Sequence, residues 1–442
     1  MRLRVNNIGA VTEATITVDG ITVITGENNT GKSTIGKTLF ASFYAMRDIR
    51  NRIHSMRMNK ISGQIRRIIE KYNVKGNSSV YSTRAMQAYS RITARLLESI
   101  KKPEQDYDFD AIRAKLADAI DTYITLSEPE AAESIKEDMI SIVEDALKIP
   151  GEEIVRELVE RSFNMVFADQ VANIFREGDK PIEARLEIQN SQVVVQFSNE
   201  NACINVEDEV LIEHRVFYID DPFIIDRLAE LREGRMYMGG LGSLMQQDLI
   251  EKIHLRRPTD SEEVLDAIAA KKKMGDVYKL IESAVDGSIE YKDGVYAYAM
   301  SDKNRIHIGN VSTGMKSFLI IKTLIENGVI KEKDIIILDE PEVHLHTEWQ
   351  SLYAEIIVLL QKEFNLTVLL TTHSSHFMHA IEVYAKKHGL ENRCNYYKAV
   401  NNEGHVSFDD VTSSMESSYY QLVKPSLDLD RLEYQLMGDK DD

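Results

Sequence analysis

Eight residues constrain this chain more than any others. Gly26-Glu27-Asn28-Asn29-Thr30-Gly31-Lys32-Ser33 fits the G-x-x-x-x-G-K-[ST] phosphate-binding pattern. The apolar, β-branched run Ile21-Thr22-Val23-Ile24-Thr25 leads in, and the helix-compatible run Thr34-Ile35-Gly36-Lys37-Thr38-Leu39-Phe40 leads out. Strand, glycine-rich turn and helix in that order predict an α/β fold of the P-loop NTPase kind. The backbone N–H groups of such a turn curl around phosphate oxygens, and the helix N-terminus adds its positive end. Lys32 then reaches the β- and γ-phosphates and Ser33 ligates Mg²⁺. Gly26, Asn28, Asn29, Thr30, Gly31, Lys32, Ser33 and Thr34 are the candidate nucleotide-binding residues, with a nucleoside triphosphate as the expected ligand.

Composition sets the frame around this loop. At 442 residues with 43% hydrophobic content, the chain is long enough for two or three domains with substantial cores. It has no run of 18 apolar residues and no signal-peptide pattern behind Met1-Arg2-Leu3-Arg4, so no membrane partner is expected. Cys203 and Cys394 stand far apart with no metal-ligand spacing, which predicts ordinary buried thiols, no metal–cysteine site and a cytoplasmic setting.

The net charge of −18 argues against a uniformly basic surface for nucleic acid. Its distribution is uneven. Residues 47–102 carry fourteen bases against Asp48, Glu70 and Glu98, whereas residues 103–161 carry seventeen acids against six bases. One reading is an antiparallel helical hairpin whose arms pair electrostatically. The other is a basic arm that contacts DNA or RNA.

Along the chain, residues 1–25 alternate like strands, with a hairpin expected at Asp19-Gly20. Residues 46–165 read as helical, with breaks near Gly76-Asn77-Ser78-Ser79, Pro103 and Pro150-Gly151. Strands return over 182–212, and Val216-Phe217-Tyr218-Ile219 predicts a short buried strand. Residues 223–285 read as a helical lobe, and an antiparallel region follows to about residue 308. The expected organisation is a discontinuous head of 1–45 and 166–442, with 46–165 inserted as a short coiled-coil-like arm and 223–285 as a lobe of the head. The end, Gly438 to Asp442, reads as an acidic tail.

Three further motifs carry chemistry. Asp334-Ile335-Ile336-Ile337-Leu338-Asp339-Glu340-Pro341 predicts a buried parallel strand that delivers carboxylates at its C-terminal end. Asp339 is the candidate Mg²⁺ ligand beside Ser33, and Glu340 the candidate general base. Asn310-Val311-Ser312-Thr313-Gly314-Met315-Lys316-Ser317 places a Ser-x-Gly at a helix start, an anion site by type, although taken alone it reads first as an ordinary helix N-cap by Ser312 or Thr313. Leu366 to Leu370 leads into Thr371-Thr372-His373-Ser374, a strand that ends in a histidine able to bond phosphate.

In this order the four motifs resemble those of the ATP-binding-cassette (ABC-type) ATPases, in the soluble branch that holds the SMC, RecF-like and OLD-like heads. The loop is similar to the Asn-Asn form of the OLD-like enzymes. Asp339-Glu340-Pro341-Glu342-Val343-His344-Leu345-His346 looks like their DEPE-x-HLHP block, with Thr347 in place of the usual proline. Thr371 to His376 looks like their His switch. The Ser312 segment departs from LSGGQ, which leaves Met315 and Lys316 without a role, and only Gln196, Gln246 and Gln247 offer themselves as the Q-loop glutamine.

The resemblance implies a homodimer in which two heads enclose two ATP molecules. Lys32, Glu340 and His373 would be catalytic in cis, and Ser312 and Gly314 would bind nucleotide in trans. It further implies Mg²⁺-dependent ATP hydrolysis that controls a separate effector, a nuclease above all. Heads of this size resemble those of anti-phage defence systems such as Septu, in its PtuA subunit. About seventy residues follow His373, too few for the Toprim nuclease domain of OLD enzymes. The alternative is a DNA-repair or DNA-tracking ATPase of the RecF/SMC type that holds DNA on residues 47–102. A transporter subunit ranks third.

Overall fold

The computed structural model describes residues 1–73, 89–96, 100, 107–123, 129–176, 180–208, 212–234, 243–254, 275–292, 295–300 and 304–438. The breaks at 76–79 and 103, the turn at Asp293-Gly294 and the acidic tail beyond Gly438 lie outside them, as do residues 235–242 and 255–274 of the expected lobe.

In chain order the elements are β1 (Arg2–Ile8), β2 (Val11–Thr17), β3 (Ile21–Thr25), α1 (Lys32–Met46), α2 (Ile49–Asn73), α3 (Phe109–Tyr123), α4 (Pro129–Lys148) and α5 (Gly151–Phe167). β4 (Ile182–Ile188), β5 (Ser191–Phe197), β6 (Cys203–Asp208) and β7 (Val216–Ile219) follow, then a 3₁₀ segment, Pro222–Gly234. α6 (Leu244–His254), α7 (Gly275–Ala284), β8 (Ser288–Lys292), β9 (Val295–Ala299) and β10 (Arg305–His307) come next. The chain continues with α8 (Thr313–Glu326), β11 (Ile335–Asp339), α9 (Thr347–Phe364), β12 (Thr367–Thr372), α10 (Ser375–Lys387), β13 (Cys394–Asn402), β14 (His405–Asp410) and α11 (Glu416–Gly438). A further helical stretch covers 89–96.

The chain divides into two compact units, 1–47 with 159–442, and 48–158. The first is an α/β P-loop architecture whose centre is a six-stranded sheet in the order β14-β13-β3-β12-β11-β7. β13, β3, β12, β11 and β7 run parallel, and β14 is an antiparallel edge. Every residue of β3 and β7 is buried. Strands covered on both faces carry apolar and β-branched residues without alternation, as in Ile21-Thr22-Val23-Ile24-Thr25 and Val216-Phe217-Tyr218-Ile219. Their side chains join those of α8, α9 and α10 in one core with Phe318, Tyr353, Leu360 and Phe377. Each fully buried side chain of this size contributes roughly 1.5–3 kcal/mol.

An antiparallel sheet, β2-β1-β4-β5-β6, forms a second layer of this unit, and β10-β9-β8 a third, smaller sheet. The expected hairpin at Asp19-Gly20 is not there. β2 pairs with β1 across a tight link in which Ile8 faces Val11, and β3 pairs with β12 and β13. The Asp19-Gly20 turn instead carries the chain from one sheet to the other. Burial is the reason: β2 alternates between covered and open positions, whereas β3, apolar or β-branched at every position, is buried throughout and needs the centre of a covered sheet.

Residues 48–158 have a core of their own. Met58, Ile61, Ile65, Ile68 and Ile69 of α2 recur at three- and four-residue spacing and meet Ile112, Leu116 and Ile120 of α3 and Ile135, Met139 and Val143 of α4. The expected pairing of basic and acidic arms is present as Arg95 with Asp118, at the surface. An apolar seam, more than this charge pair, joins these helices. Arg57 is buried within the unit, where it donates to the Tyr107 hydroxyl at 3.0 Å and to the Ile149 carbonyl at 2.5 Å.

Candidate functional site

The register of the parallel sheet assembles the site. Asp339 of β11 lies opposite Thr371 of β12, and Thr371 and Thr372 lie opposite Ile24 and Thr25 of β3. On its other side Leu338 lies opposite Ile219 of β7. The carboxyl ends of four parallel strands therefore come level, and each is followed by a polar segment: Gly26, Asp220, Glu340 and His373. Open parallel sheets bind their ligands at this edge.

At the loop, β3 ends at Thr25 and α1 begins at Lys32. Gly31 takes φ 73°, a left-handed turn that a side chain would strain, and Asn29 takes φ 60°. Thr30 closes the loop by donating to the Glu27 carbonyl at 2.7 Å. Asn28 and Asn29 are exposed at its crest, and Thr34 is buried behind it. The Lys32 ammonium is buried and donates to the carbonyls of Gly26 at 3.1 Å and Glu27 at 2.7 Å. Burial lowers its pKa to about 8, against the pull of Glu340, Asp339 and Glu342. A phosphate set beside it would favour the charged form again.

Asp339 is the hub. Its Oδ1 accepts from Ser33 Oγ at 3.1 Å and from Thr371 Oγ1 at 2.5 Å, and its Oδ2 accepts from the Tyr218 hydroxyl at 2.8 Å. A serine hydroxyl and a carboxylate that already meet form the hard-oxygen pair Mg²⁺ prefers, so the donor set fits that ion. Asp220 stands at the neighbouring strand end. Burial, with Asp339 nearby, raises its pKa to about 6. Crowded carboxylates of this kind are relieved by a bound cation.

Glu340 follows at φ 52°, in the left-handed region one residue before Pro341, a conformation costing about 1–3 kcal/mol. Its amide donates to Thr371, to the carbonyl at 3.2 Å and the hydroxyl at 3.1 Å, which holds this turn. Its carboxylate meets His373 Nε2 at 2.7 Å, and both side chains are part-exposed. Lys32, Ser33, Asp339, Glu340 and His373 are thus brought to one sheet edge.

Ser312 is exposed at the start of α8, and its hydroxyl makes no capping bond. Gly314 is buried. A Cβ there would lie 3.1 Å from the Trp349 ring and 3.2 Å from the His344 carbonyl, so glycine is needed for packing whatever else it does. Lys316, which the motif left without a role, is 1% exposed, bonds Asp226 at 2.8 Å and lies 5.0 Å from the Phe223 ring centroid. It braces α8 against the 3₁₀ segment.

Of the glutamines, Gln196 lies in β5 and bonds Glu183, and Gln246 accepts from Arg227. The residue that follows β7 is Asp220. Sequence reasoning also passed over Tyr218, Thr371, Thr372 and Glu342. Tyr218 had a signal, a polar aromatic inside an otherwise apolar strand, but its partner was invisible without the register. Cys203 and Cys394 are buried thiols. Among the described residues no helix is long and apolar enough to cross a membrane, and no cluster of His, Cys, Asp and Glu forms a ready-made metal site.

Three solved structures set this chain beside SMC heads. The SMC head domain from Thermotoga maritima matches with a TM-score of 0.37 at 10% identity, covering 93% of this chain and 98% of that one. An SmcHead bound to the C-winged helix domain of ScpA matches with a TM-score of 0.42 at 11% identity, covering 94% and 98%. The Pyrococcus furiosus Smc head with an extended coiled coil, bound to the C-terminal domain of ScpA, gives a TM-score of 0.32 at 10% identity, covering 96% and 98%. Similarity at this level transfers no property to this chain. The family comparison does: residues 1–378, which hold every motif above, match the AAA_15 model, described as an AAA ATPase domain. The chain therefore belongs to the AAA_15 family of AAA ATPase domains.

Proposed function

We propose that this ATPase binds Mg²⁺–ATP at the edge formed by β3, β11 and β12, and that two copies enclose the nucleotide between them. The observation that carries the reading is the Glu340–His373 contact of 2.7 Å beside an Asp339 that Ser33 already touches. Glu340 is the general base that takes a proton from the attacking water. His373 orients Glu340, and Lys32 neutralises charge on the β- and γ-phosphates. Ser33 and Asp339 hold Mg²⁺, which when bound supplies charge neutralisation across the phosphates. The two-copy arrangement is supported by Ser312, exposed and engaged in no capping bond, and by Phe223 and Val343, which are open to solvent at 45% and 58%.

The biological role we propose is control of a separately encoded effector, a nuclease, in anti-phage defence. It rests on the similarity of the Asp339–His346 block and the Asn-Asn loop to OLD-like heads of the PtuA type. ATP-dependent closure would be the signal that the effector reads.

The experiment is Glu340→Gln. Turnover should fall by about 10²–10⁴-fold while ATP binding persists, and an ATP-bound dimer should elute from a sizing column. A variant that stays monomeric with ATP would falsify the two-copy arrangement. Mg²⁺-dependent DNA cleavage by the purified chain alone would remove the separate effector.

A DNA-tracking role is the second reading. It is favoured by the exposure of Arg50, Lys60, Arg66 and Arg67 on α2. Charge reversal at Arg66, Arg67 and Arg95 should then abolish a salt-sensitive DNA affinity, and unchanged binding would return these bases to a structural role.

A further inference from the structure

Glu342 lies in the turn after β11 and is 5% exposed. Its Oε1 accepts three bonds, one from Thr372 Oγ1 at the end of β12, at 2.5 Å, and two from the turn that follows, His373 N at 2.9 Å and Ser374 N at 3.3 Å. Gln350 of α9 spans the same two turns. Its Nε2 donates to the Leu345 carbonyl at 3.0 Å, and its Oε1 accepts from Ser374 Oγ at 3.1 Å. The other Glu342 oxygen is buried without a hydrogen-bond partner among the described residues, an arrangement that costs free energy.

Starting the helix does not account for this carboxylate. α10 has its own cap, because Ser374 Oγ accepts from the Phe377 amide at 3.1 Å. What Glu342 does hold is the backbone amide of His373, the residue whose imidazole meets Glu340. Two turns from different strands are thereby fixed to each other at the point where the catalytic pair must form. A misplacement of about 1 Å at such a pair costs on the order of a hundredfold in rate.

We propose that Glu342 is a positioning residue for ATP hydrolysis: it locks the turn after β12 so that His373 stays within hydrogen-bond reach of Glu340. The proposal rests on the reading of Glu340 as general base given above. Glu342 touches no reacting group and acts through His373.

The test compares Glu342→Ala and Thr372→Val, each alone and combined with His373→Ala, in steady-state hydrolysis of Mg²⁺–ATP, with fluorescent-nucleotide binding measured in parallel. For Glu342→Ala kcat should fall about tenfold or more, and for Thr372→Val about threefold, with KM and nucleotide Kd moving less than about threefold. In the His373→Ala background neither should add more than about twofold, because residues that act through one another are not additive. Glu342→Gln keeps an oxygen able to accept the same three bonds and should retain about half of wild-type turnover. Losses that multiply in the His373→Ala background, or that appear in KM instead of kcat, overturn the proposal. Should Glu342→Ala not fold, the buried and near-isosteric Thr372→Val carries the comparison. Glu340→Gln separates the two levels. If it leaves turnover intact, the general-base reading falls and this proposal with it. If it abolishes turnover while the double variants multiply, only the positioning role falls.

Discussion

The parallel-sheet unit and the helical unit of residues 48–158 both bury apolar stripes, yet they treat polar groups in opposite ways. In the helical unit, charge lies mainly outside. Arg95 with Asp118, Arg66 with Glu70 and Lys148 with Glu144 are exposed or half-exposed pairs, and the core beneath is Ile, Leu, Met, Val and Ala. In the sheet unit, buried polar groups cluster at the strand ends of the central sheet and bond one another. Asp339 takes bonds from Ser33, Tyr218 and Thr371, and Glu342 takes three from the end of β12 and the turn after it. Surface ion pairs are cheap to lose because water replaces them. A buried polar cluster is not, since each lost partner leaves another group unsatisfied. Function should therefore be fragile in the sheet edge and tolerant in the helices.

The sharpest way to break this contrast is to cut one side chain from each core. Ile337→Ala, in β11, and Ile65→Ala, in α2, each empty a site that is 0% exposed and should each cost about 2–5 kcal/mol of unfolding free energy. Calorimetry with and without nucleotide separates them. Ile337→Ala should weaken ATP binding as well, because β11 carries Asp339, whereas Ile65→Ala should leave the nucleotide affinity unchanged. Equal effects on affinity would mean that the two cores are not independent.

A smaller effect is expected from Gly314→Val. Its side chain would press on the Trp349 ring and the His344 carbonyl, and overpacking of this kind costs about 1–3 kcal/mol. Thermal unfolding measured without nucleotide is the check. An unchanged melting temperature would leave phosphate contact as the sole reason for the glycine.

Smaller still, Arg95→Ala removes a half-exposed ion pair and should change stability by less than about 1 kcal/mol, measured by urea titration. A larger loss would show that charge, not the apolar seam, holds the helices.

The least perturbing probe is thiol labelling. Burial pushes the Cys394 thiol up to about 11, and both cysteines are covered. A chromogenic disulfide at pH 8 should leave the native protein untouched and react with both thiols once it is denatured. The sign follows from the shift: a raised native pKa keeps the thiol protonated up to about 11, while the unfolded thiol ionises near its ordinary value. Any stabilisation from this group is full below that ordinary value and fades as pH climbs toward 11.

Much of the site was legible in the chain because its chemistry is written locally. The loop at 26–33 needs glycine, lysine and serine in consecutive places, and a buried parallel strand must be an apolar run that stops where the carboxylates begin. Asp339-Glu340 and His373 were readable for the same reason. The Asp19-Gly20 turn was misread because alternation along one strand is local, whereas the choice of partner strand depends on which sheet can cover it. Lys316 and Glu342 stayed mute because a buried charge is explained only by what it meets, Asp226 in one case and the end of β12 in the other.

Local pattern alone was enough to read the ligand class, the strand that delivers Asp339 and Glu340, and a helical stretch near 46–165. Tertiary structure alone decided that Tyr218, Thr371 and Ser33 converge on one carboxylate, that Gly314 is needed beneath Trp349, and that Glu342 ties two distant turns together. The first depends on register between strands: Tyr218 and Asp339 are 121 residues apart and Thr371 and Asp339 are 32 apart. A one-residue slip would turn Tyr218 or Thr371 to the other face of its strand, and no pattern within a single strand can fix it.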